Sequence, residues 1–151
     1  MSDAAIEVVQ GFWAALYERD WVRIRSYFGP DSLYYDVPAG PSTAAKGPDG
    51  IEARLRLGLD PLVGYDHDPE VRIASGADGT VMTEHTEIWT WEGGATVALP
   101  FVSVQRVADG VITRWRDYWD YRTLMDAAPA AWHERLDTAD LSWLYDATTE
   151  F

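Results

Sequence analysis

Three two-residue turn signals divide the second half of the chain: Asp78-Gly79, Gly93-Gly94 and Asp109-Gly110. Asp-Gly and Gly-Gly pairs readily adopt the positive φ angles that a tight β-hairpin requires. The stretches beside them are rich in β-branched and aromatic residues, which favour strands. The pattern predicts a four-stranded antiparallel meander of long strands, from about Glu70 to Tyr121.

The first half of the chain has a helical pattern. Apolar residues recur at intervals of three and four between Asp3 and Glu18, which predicts an amphipathic helix. Asp20 is expected to cap a short second helix, and another helix is expected from Asp49 to about Leu59. A short strand is expected from Leu33 to Val37, followed by a loop rich in Pro, Gly and Ser. Helices followed by a long meander indicate an α+β fold.

The end of the chain returns to helix formers, interrupted by Pro129, which predicts a helical tail. We expect one domain over residues 1–126 and a helical C-terminal extension over residues 127–151. The extension is expected to pack on another surface, either as a lid over a pocket or as a dimer contact, because it carries Trp132, Leu136, Leu141, Trp143 and Leu144.

The composition favours a globular protein that acts on a small molecule. A net charge of −13 repels phosphate backbones and anionic lipid, so nucleic acid and membrane surfaces are not expected partners. The absence of Cys excludes thiolate nucleophiles and Cys-ligated zinc, and a cytoplasmic location is expected. The sequence has no apolar run of about 18 residues and no signal-peptide pattern. The expected partner is a neutral or apolar small molecule.

The meander's register follows if its turns are two-residue hairpins without bulges. Closure at Gly93-Gly94 places His85 opposite Val102, and closure at Asp109-Gly110 places Val102 opposite Asp117. These three residues then form one row. Because positions two apart share a face of the sheet, the same face is predicted to hold Glu87, Trp89, Trp115, Trp119 and Tyr121.

The middle strand is predicted to leave a hollow on this face. It would contribute mostly compact side chains, at Ala98, Pro100, Val102 and Val104. Compact residues inside an aromatic wall, beneath covering helices, predict a pocket that is lined by the three Trp residues and Val102. Asp120 is assigned to the opposite face, with Arg114 and Arg116.

Asp117, Glu87 and His85 would place three ionisable groups on one apolar face. Burial raises the pKa of a carboxylic acid, so one carboxyl group can stay protonated as an acid while the other serves as a base. His85 would orient them or share the proton. Asp36, which alternates with Tyr34 on the first strand, is another candidate base or else a turn cap. A metal site is disfavoured because no second His lies near "HTE".

At these residues the chain resembles the limonene-1,2-epoxide hydrolase branch of the SnoaL-like proteins, within the nuclear-transport-factor-2-like superfamily. The stretch "DGVITRWRDYWD" is similar to the family's closing Gly-x-Ile-x-x-Trp-Arg-Asp-Tyr-Phe-Asp pattern, and "LYYDVP" and "TEHTEI" match less specific strands. The resemblance implies a cone-shaped α+β barrel, in which N-terminal helices cover a curved, mostly antiparallel sheet. It also implies an apolar pocket, catalysis without a cofactor and a homodimer.

The resemblance also implies roles for single residues. In limonene-type hydrolases one Asp activates water, a second protonates the epoxide oxygen and an Arg links them, while a Tyr and an Asn hold the water. By position, Asp117 is the acid, Glu87 the base, His85 stands for the Arg, Tyr34 for the Tyr and Asp36 for the Asn. The expected function is therefore the addition of water to the epoxide of an apolar small molecule.

The same superfamily offers alternatives. Asp36, followed by Val37-Pro38, resembles the general base of ketosteroid isomerases, and His85 and Tyr17 resemble a histidine and a helix tyrosine of scytalone-type dehydratases. The first alternative is therefore an isomerase, cyclase or dehydratase that uses Asp36 or His85 as base. A second alternative is a non-catalytic ligand-binding module, since one fold serves many functions.

Overall fold

The computed structural model describes residues 3–151, which form five α-helices and eight β-strands. The helices are α1 (Ala4–Glu18), α2 (Trp21–Arg25), α3 (Gly47–Leu59), α4 (Tyr121–Ala127) and α5 (Ala130–Thr138). The strands are β1 (Leu33–Asp36), β2 (Ala44–Lys46), β3 (Leu62–His67), β4 (Arg72–Ser75), β5 (Thr80–Trp91), β6 (Thr96–Ala108), β7 (Val111–Tyr118) and β8 (Leu144–Tyr145).

The strands form one curved sheet in the order β3-β5-β6-β7-β1-β2-β8, and β4 also pairs with β5. All pairs are antiparallel except β1 with β7, which are parallel. The meander β4–β5–β6–β7 is confirmed, and so is the α+β plan of a cone-shaped, unclosed sheet. The pairing of β1 with β7 brings the first strand's carboxyl end beside the end of the meander.

The N-terminal helices begin where the sequence predicts them. Asp3 accepts hydrogen bonds from the backbone N–H groups of Ala5 and Ile6, and Asp20 accepts one from Arg23. Each cap satisfies helix N–H groups that have no partner within the helix. The apolar stripe of α1 is buried in the same core as the inner face of the sheet, through Val9, Phe12, Trp13 and Leu16.

Three short strands were not predicted. The stretch after α3, including His67, forms β3 rather than a loop, and the Pro-rich loop contains a 3-10 turn and β2. The C-terminal tail is helical only to Thr138, and its next regular element is β8, which pairs with β2 at the sheet edge. Within residues 3–151, no helix is both long and apolar enough to cross a membrane.

The calculated register between β5 and β6 is wrong by one residue. The β5–β6 connection is longer than two residues, since the N–H of Trp91 bonds the carbonyl of Ala95 and both Gly93 and Gly94 have positive φ. His85 therefore pairs with Phe101 instead of Val102.

A β-bulge shifts the register between β6 and β7 by one further residue. Near the turn Ala108 pairs with Val111 as predicted, but beyond the bulge Asp117 pairs with Ser103. At the bulge, the N–H of Val107 bonds the carbonyl of Gly79. A Cβ atom at Gly79 would lie 2.4 Å from the carbonyl oxygen of Val107, so only glycine permits this approach.

The two shifts add to two residues between β5 and β7, which keeps the faces of those strands, whereas the single shift between β5 and β6 reverses the faces of β6. His85, Glu87 and Asp117 still point inward, although not in one row. The inward residues of β6 are Val97, Leu99, Phe101, Ser103 and Gln105. The prediction that Val102 faces the pocket is wrong, because its side chain lies on the outer face and is 39% exposed.

Candidate active site

A cavity of about 140 Å³ lies between the inner face of the sheet, α3 and the C-terminal helices. It is close in size to an engineered cavity of about 150 Å³ that holds benzene, and smaller than most ligand pockets. Its lining is mostly aromatic and aliphatic, and its ionisable groups include Asp36, Arg54, Glu87 and Asp117. Such a cavity suits a small apolar molecule that reacts with acid and base groups.

Asp117 is buried near the end of β7. The indole Nε1 of Trp115 donates a 2.5 Å hydrogen bond to its Oδ1. Burial raises the pKa of Asp117 well above its usual range, and the negative charge of Asp36 raises it further, while bonds from Ser103 and Trp115 oppose the rise. Burial therefore favours the protonated form of Asp117, which can donate a proton.

Glu87 is held on β5 by two donors. The Tyr65 hydroxyl bonds its Oε1 at 2.7 Å, and the indole Nε1 of Trp89 bonds its Oε2 at 2.8 Å. Burial raises the pKa of Glu87 to about 7, even though both hydrogen bonds favour the charged form. Glu87 thus exchanges its proton near neutral pH, as a general base requires.

Asp36 ends β1 and carries most of the remaining polar contacts of the cavity. Its Oδ1 accepts hydrogen bonds from the Tyr34 hydroxyl at 2.8 Å and from the indole Nε1 of Trp119 at 2.9 Å. Its Oδ2 forms an ion pair with Arg54 of α3. Asp36 is therefore a fully partnered carboxylate, with Tyr34 stacked on Trp115 at a ring separation of 3.8 Å.

Sequence reasoning did not identify Arg54 or Tyr65. Arg54 lies three residues after Ile51, on the buried side of α3, which was the one available signal that its charge needs an internal partner. Tyr65 lies on β3, a strand that was not predicted. Neither position identifies its carboxylate partner without the fold.

His85 is buried but does not line the cavity. Its Nδ1 lies 2.9 Å from the Tyr17 hydroxyl and its Nε2 lies 3.1 Å from the Ser103 hydroxyl. Burial lowers the pKa of His85 to about 4, and the charge of His67 contributes in the same direction. The imidazole is therefore neutral, and neither ring nitrogen bonds Glu87 or Asp117.

The structure brings seven of the ten predicted site residues to the cavity: Tyr34, Asp36, Glu87, Trp89, Trp115, Asp117 and Trp119. It places His85 and Tyr17 instead at a second groove between α1, β3 and β5, and Val102 on the outer face. For Val102 the physical reason is the register, because Phe101 takes the inward position that was calculated for Val102. Within residues 3–151, no cluster of His, Asp and Glu has the arrangement of a metal site.

The C-terminal helices cover the cavity. Leu124 and Met125 of α4 and Trp132 and Leu136 of α5 contribute to its lining. The indole Nε1 of Trp132 donates a 3.1 Å hydrogen bond to the carbonyl of Gly58, which ties α5 to α3. Of the two roles left open for the tail, the described contacts support the lid.

Asp120 connects the meander to this lid, and it lies beyond the end of β7 instead of on the outer face of the sheet with Arg114 and Arg116. Its carboxylate accepts hydrogen bonds from the N–H and hydroxyl of Thr123, as the N-cap of α4. β7 ends at Tyr118, so Tyr121 belongs to α4 and is 54% exposed rather than inward.

The model of the limonene-1,2-epoxide hydrolase catalytic domain matches residues 3–142. An LEH-like epoxide hydrolase from M. tuberculosis is 29% identical, with a TM-score of 0.64 over 82% of this chain and 88% of that chain. A protein assigned as a SnoaL-like polyketide cyclase from Shewanella denitrificans is 21% identical, with a TM-score of 0.73 over 83% and 97%. TerC, crystallised with polyporic acid, is 24% identical, with a TM-score of 0.69 over 83% and 98%. The family match spans nearly the whole chain, and the chain belongs to the limonene-1,2-epoxide hydrolase family.

Proposed function

We propose that this protein adds water to the epoxide of an apolar small molecule and releases a vicinal diol. The observation that carries the proposal is the presence of two buried carboxyl groups with raised pKa values, Asp117 and Glu87, in one apolar cavity. Family membership and the likeness to an epoxide hydrolase support it.

The proposed reaction uses one carboxyl group as acid and the other as base. Asp117 gives its proton to the epoxide oxygen as the ring C–O bond breaks. Glu87 removes a proton from water as the water oxygen forms a bond to the ring carbon. The products are a diol, ionised Asp117 and protonated Glu87, so Glu87 must release a proton and Asp117 must gain one before the next turnover.

The surrounding groups hold the two carboxyls in these states. Tyr65 and Trp89 fix both oxygens of Glu87, and Trp115 fixes Asp117. Asp36 places a negative charge beside Asp117, which favours the protonated acid. The lid helices exclude bulk water, which strengthens each of these electrostatic effects.

Labelled water tests the proposal. Hydrolysis in H₂¹⁸O should place one ¹⁸O atom in each diol, and Glu87→Gln and Asp117→Asn should each lower kcat by about 10²-fold to 10⁴-fold. Glu84→Gln is the matched control, because Glu84 lies on the same strand but its side chain is 60% exposed. No diol from a broad panel of aliphatic, cyclic and aryl epoxides would overturn the proposal.

Asp36 favours a second candidate, an isomerase, cyclase or dehydratase. It is a buried carboxylate whose charge Arg54 keeps in the cavity, and such a group can remove a proton next to a carbonyl. This reaction would exchange a substrate proton with solvent deuterium, and Asp36→Asn would abolish the exchange. If a ligand binds and returns unchanged, with its affinity intact in Asp117→Asn, the protein is a binding module instead.

The homodimer is also a proposal, and the outer face of β6 is the surface that we assign to it. From Thr96 to Val104, β6 carries no charged side chain, and its Val102 is 39% exposed. The neighbouring strands add Met82 of β5, which is 52% exposed, and Tyr118 of β7, which is 44% exposed. Val102→Glu should convert a dimer to a monomer in light scattering. A monomeric wild-type protein at micromolar concentration would contradict the assignment.

A further inference from the structure

Tyr17, His85 and Ser103 form a polar path to Asp117. The path approaches Asp117 from the side of the second groove, not through the substrate cavity. We infer that Ser103 and His85 relay a proton between Asp117 and the second groove, and so restore the acid after each turnover. This inference rests on the proposed hydrolysis. In it His85 does not contact the substrate, but acts on the reaction through Ser103 and Asp117.

The path consists of short polar links across three strands and one helix. Ser103 is the direct partner of Asp117 in the pairing of β6 with β7, and both side chains are buried on the inner face, so the Ser103 hydroxyl lies beside the Asp117 carboxyl and favours its charged form. The Ser103 hydroxyl lies 3.1 Å from Nε2 of His85. The Nδ1 of His85 lies 2.9 Å from the hydroxyl of Tyr17 on α1.

Each member of the path can both donate and accept, so the path has two complete hydrogen-bonding patterns. When Asp117 is ionised, the Tyr17 hydroxyl donates to Nδ1, Nε2–H donates to Ser103, and Ser103 donates to the carboxylate. When Asp117 is protonated, its O–H donates to Ser103 and every other bond reverses. Passage of one proton along the path converts the first pattern into the second without leaving a buried group unpaired.

The outer end of the path lies at the second groove, which has a volume of about 580 Å³. Tyr17 lines this groove with His67 and Asp66 of β3 and Glu18 of α1. The His67 ring lies 4.4 Å from the Tyr17 ring, between centroids. Tyr65, Glu87 and Asp117 are the other ionisable groups near Tyr17 and His85. Protons from solvent can therefore reach Tyr17 without passing through the substrate cavity.

A relay is needed because Asp117 must regain a proton inside a covered cavity. Asp117 loses a proton in each turnover, while the bound diol and the lid helices separate it from bulk water. Ser103 is 0% exposed, and His85 is 3% exposed and lies near the rings of Trp13 and Phe101. Buried hydroxyl and imidazole groups need hydrogen-bond partners. In this protein those partners form one path that ends at Asp117.

The decisive experiment separates the first turnover from later ones. An enzyme that begins with Asp117 protonated completes its first turnover without the relay, so Ser103→Ala should keep the single-turnover rate within about twofold of the wild type. Its steady-state kcat should fall by about tenfold or more, and a burst of diol should appear. His85→Gln should behave in the same way, and Ser103→Thr, which retains the hydroxyl, should recover kcat.

Thr83→Val is the matched control. Thr83 is the β5 partner of Ser103 and is fully buried, but its hydroxyl accepts from Trp13 and lies outside the path. The control should leave the ratio of steady-state to single-turnover rates unchanged. An equal fall of both rates in Ser103→Ala, or no fall in kcat, would overturn the relay while the hydrolase assignment stands.

A second readout does not depend on turnover. Ser103 lowers the pKa of Asp117 by donating to its carboxylate, so Ser103→Ala should raise that pKa in a ¹³C-NMR titration of the carboxyl carbon. His85→Gln should also change it, because the Ser103 hydroxyl loses the ring that fixes its direction. If neither variant changes the titration of Asp117, there is no relay, whatever reaction the protein catalyses.

Discussion

Asp36 and Asp117 lie side by side, as direct partners in the parallel pairing of β1 with β7. Neighbouring strands are about 4.8 Å apart, so the two buried carboxyl groups interact strongly. Arg54 pairs with Asp36, whereas Asp117 receives only neutral donors. The proton consequently resides on Asp117, and the strand pairing itself selects which of these two carboxyls is the acid.

Asp36→Asn should lower the pKa of Asp117. The substitution removes the neighbouring negative charge and leaves the Arg54 cation, and both changes favour ionised Asp117. The alkaline limb of the pH profile of kcat should move to lower pH. Asp109→Asn, in the exposed β6–β7 turn, is the control and should leave the limb in place. An unchanged limb in Asp36→Asn would show that Asp117 does not set it.

Arg54→Gln should destabilise the fold strongly, because it removes the partner of a buried carboxylate. Asp36 is 5% exposed and would remain as an unpaired buried carboxylate, while the Arg54 side chain is 25% exposed. Breaking such a pair costs about 3 kcal/mol in the free energy of unfolding. Urea denaturation should show that adding Asp36→Asn to Arg54→Gln restores part of the loss.

Arg56→Gln provides the comparison on the same helix. Arg56 is 40% exposed and pairs with Glu52 and Asp60 at the surface, so its loss should cost less than about 1 kcal/mol. Equal effects of the two substitutions would mean that the Arg54 pair is as solvated as a surface pair.

Glu87 should make stability fall as the pH rises from about 4.5 to 7. Its pKa in the folded state is about 7, against an ordinary 4.5, so the folded state retains a proton that the unfolded state has lost. Through this window the free energy of unfolding falls by about 3 kcal/mol from this group, and the fall levels off about one pH unit above the folded pKa. The difference between the wild type and Glu87→Gln, measured by urea denaturation at several pH values, should follow this curve. Glu84→Gln should give a flat difference, and a flat difference for Glu87→Gln would mean that Glu87 is ionised throughout.

The sequence predicted the meander and the inward carboxyls because turn chemistry and side-chain alternation are local properties. It did not predict the faces of β6, because the register depends on the length of one connection and on a bulge. At that bulge the N–H of Val107 bonds the carbonyl of Gly79, a residue 28 positions away in the chain. Asp117 and Glu87 kept their predicted face only because the two shifts add to two residues, an even number.

The partners of Asp36 and Glu87 could not be predicted from the sequence, because they too depend on tertiary contacts. Arg54 and Tyr65 reach Asp36 and Glu87 from elements whose packing on the sheet is a tertiary property. The family resemblance implied that His85 stands for the linking Arg, but a neutral imidazole behind the cavity supplies no charge there. The cation of this cavity comes instead from α3 through Arg54.

Trp132→Ala should open the cavity. Trp132 is 4% exposed, packs against Trp89 and Trp91, and bonds the carbonyl of Gly58. Its truncation should cost about 3–5 kcal/mol in the free energy of unfolding and leave space beside the reacting groups. The ratio of kcat/KM for a bulky epoxide to that for a small one should therefore rise.

Two further variants separate the volume of Trp132 from its hydrogen bond. Trp132→Phe loses the bond to Gly58 but fills most of the space, so its cost should be nearer 1–3 kcal/mol, as for one unsatisfied acceptor, with little change in the substrate ratio. Leu141→Ala, at a position that is 42% exposed beyond the end of α5, should change neither quantity. If Trp132→Ala lowers kcat/KM for both epoxides by the same factor, α5 supports the fold but does not set the size of the substrate.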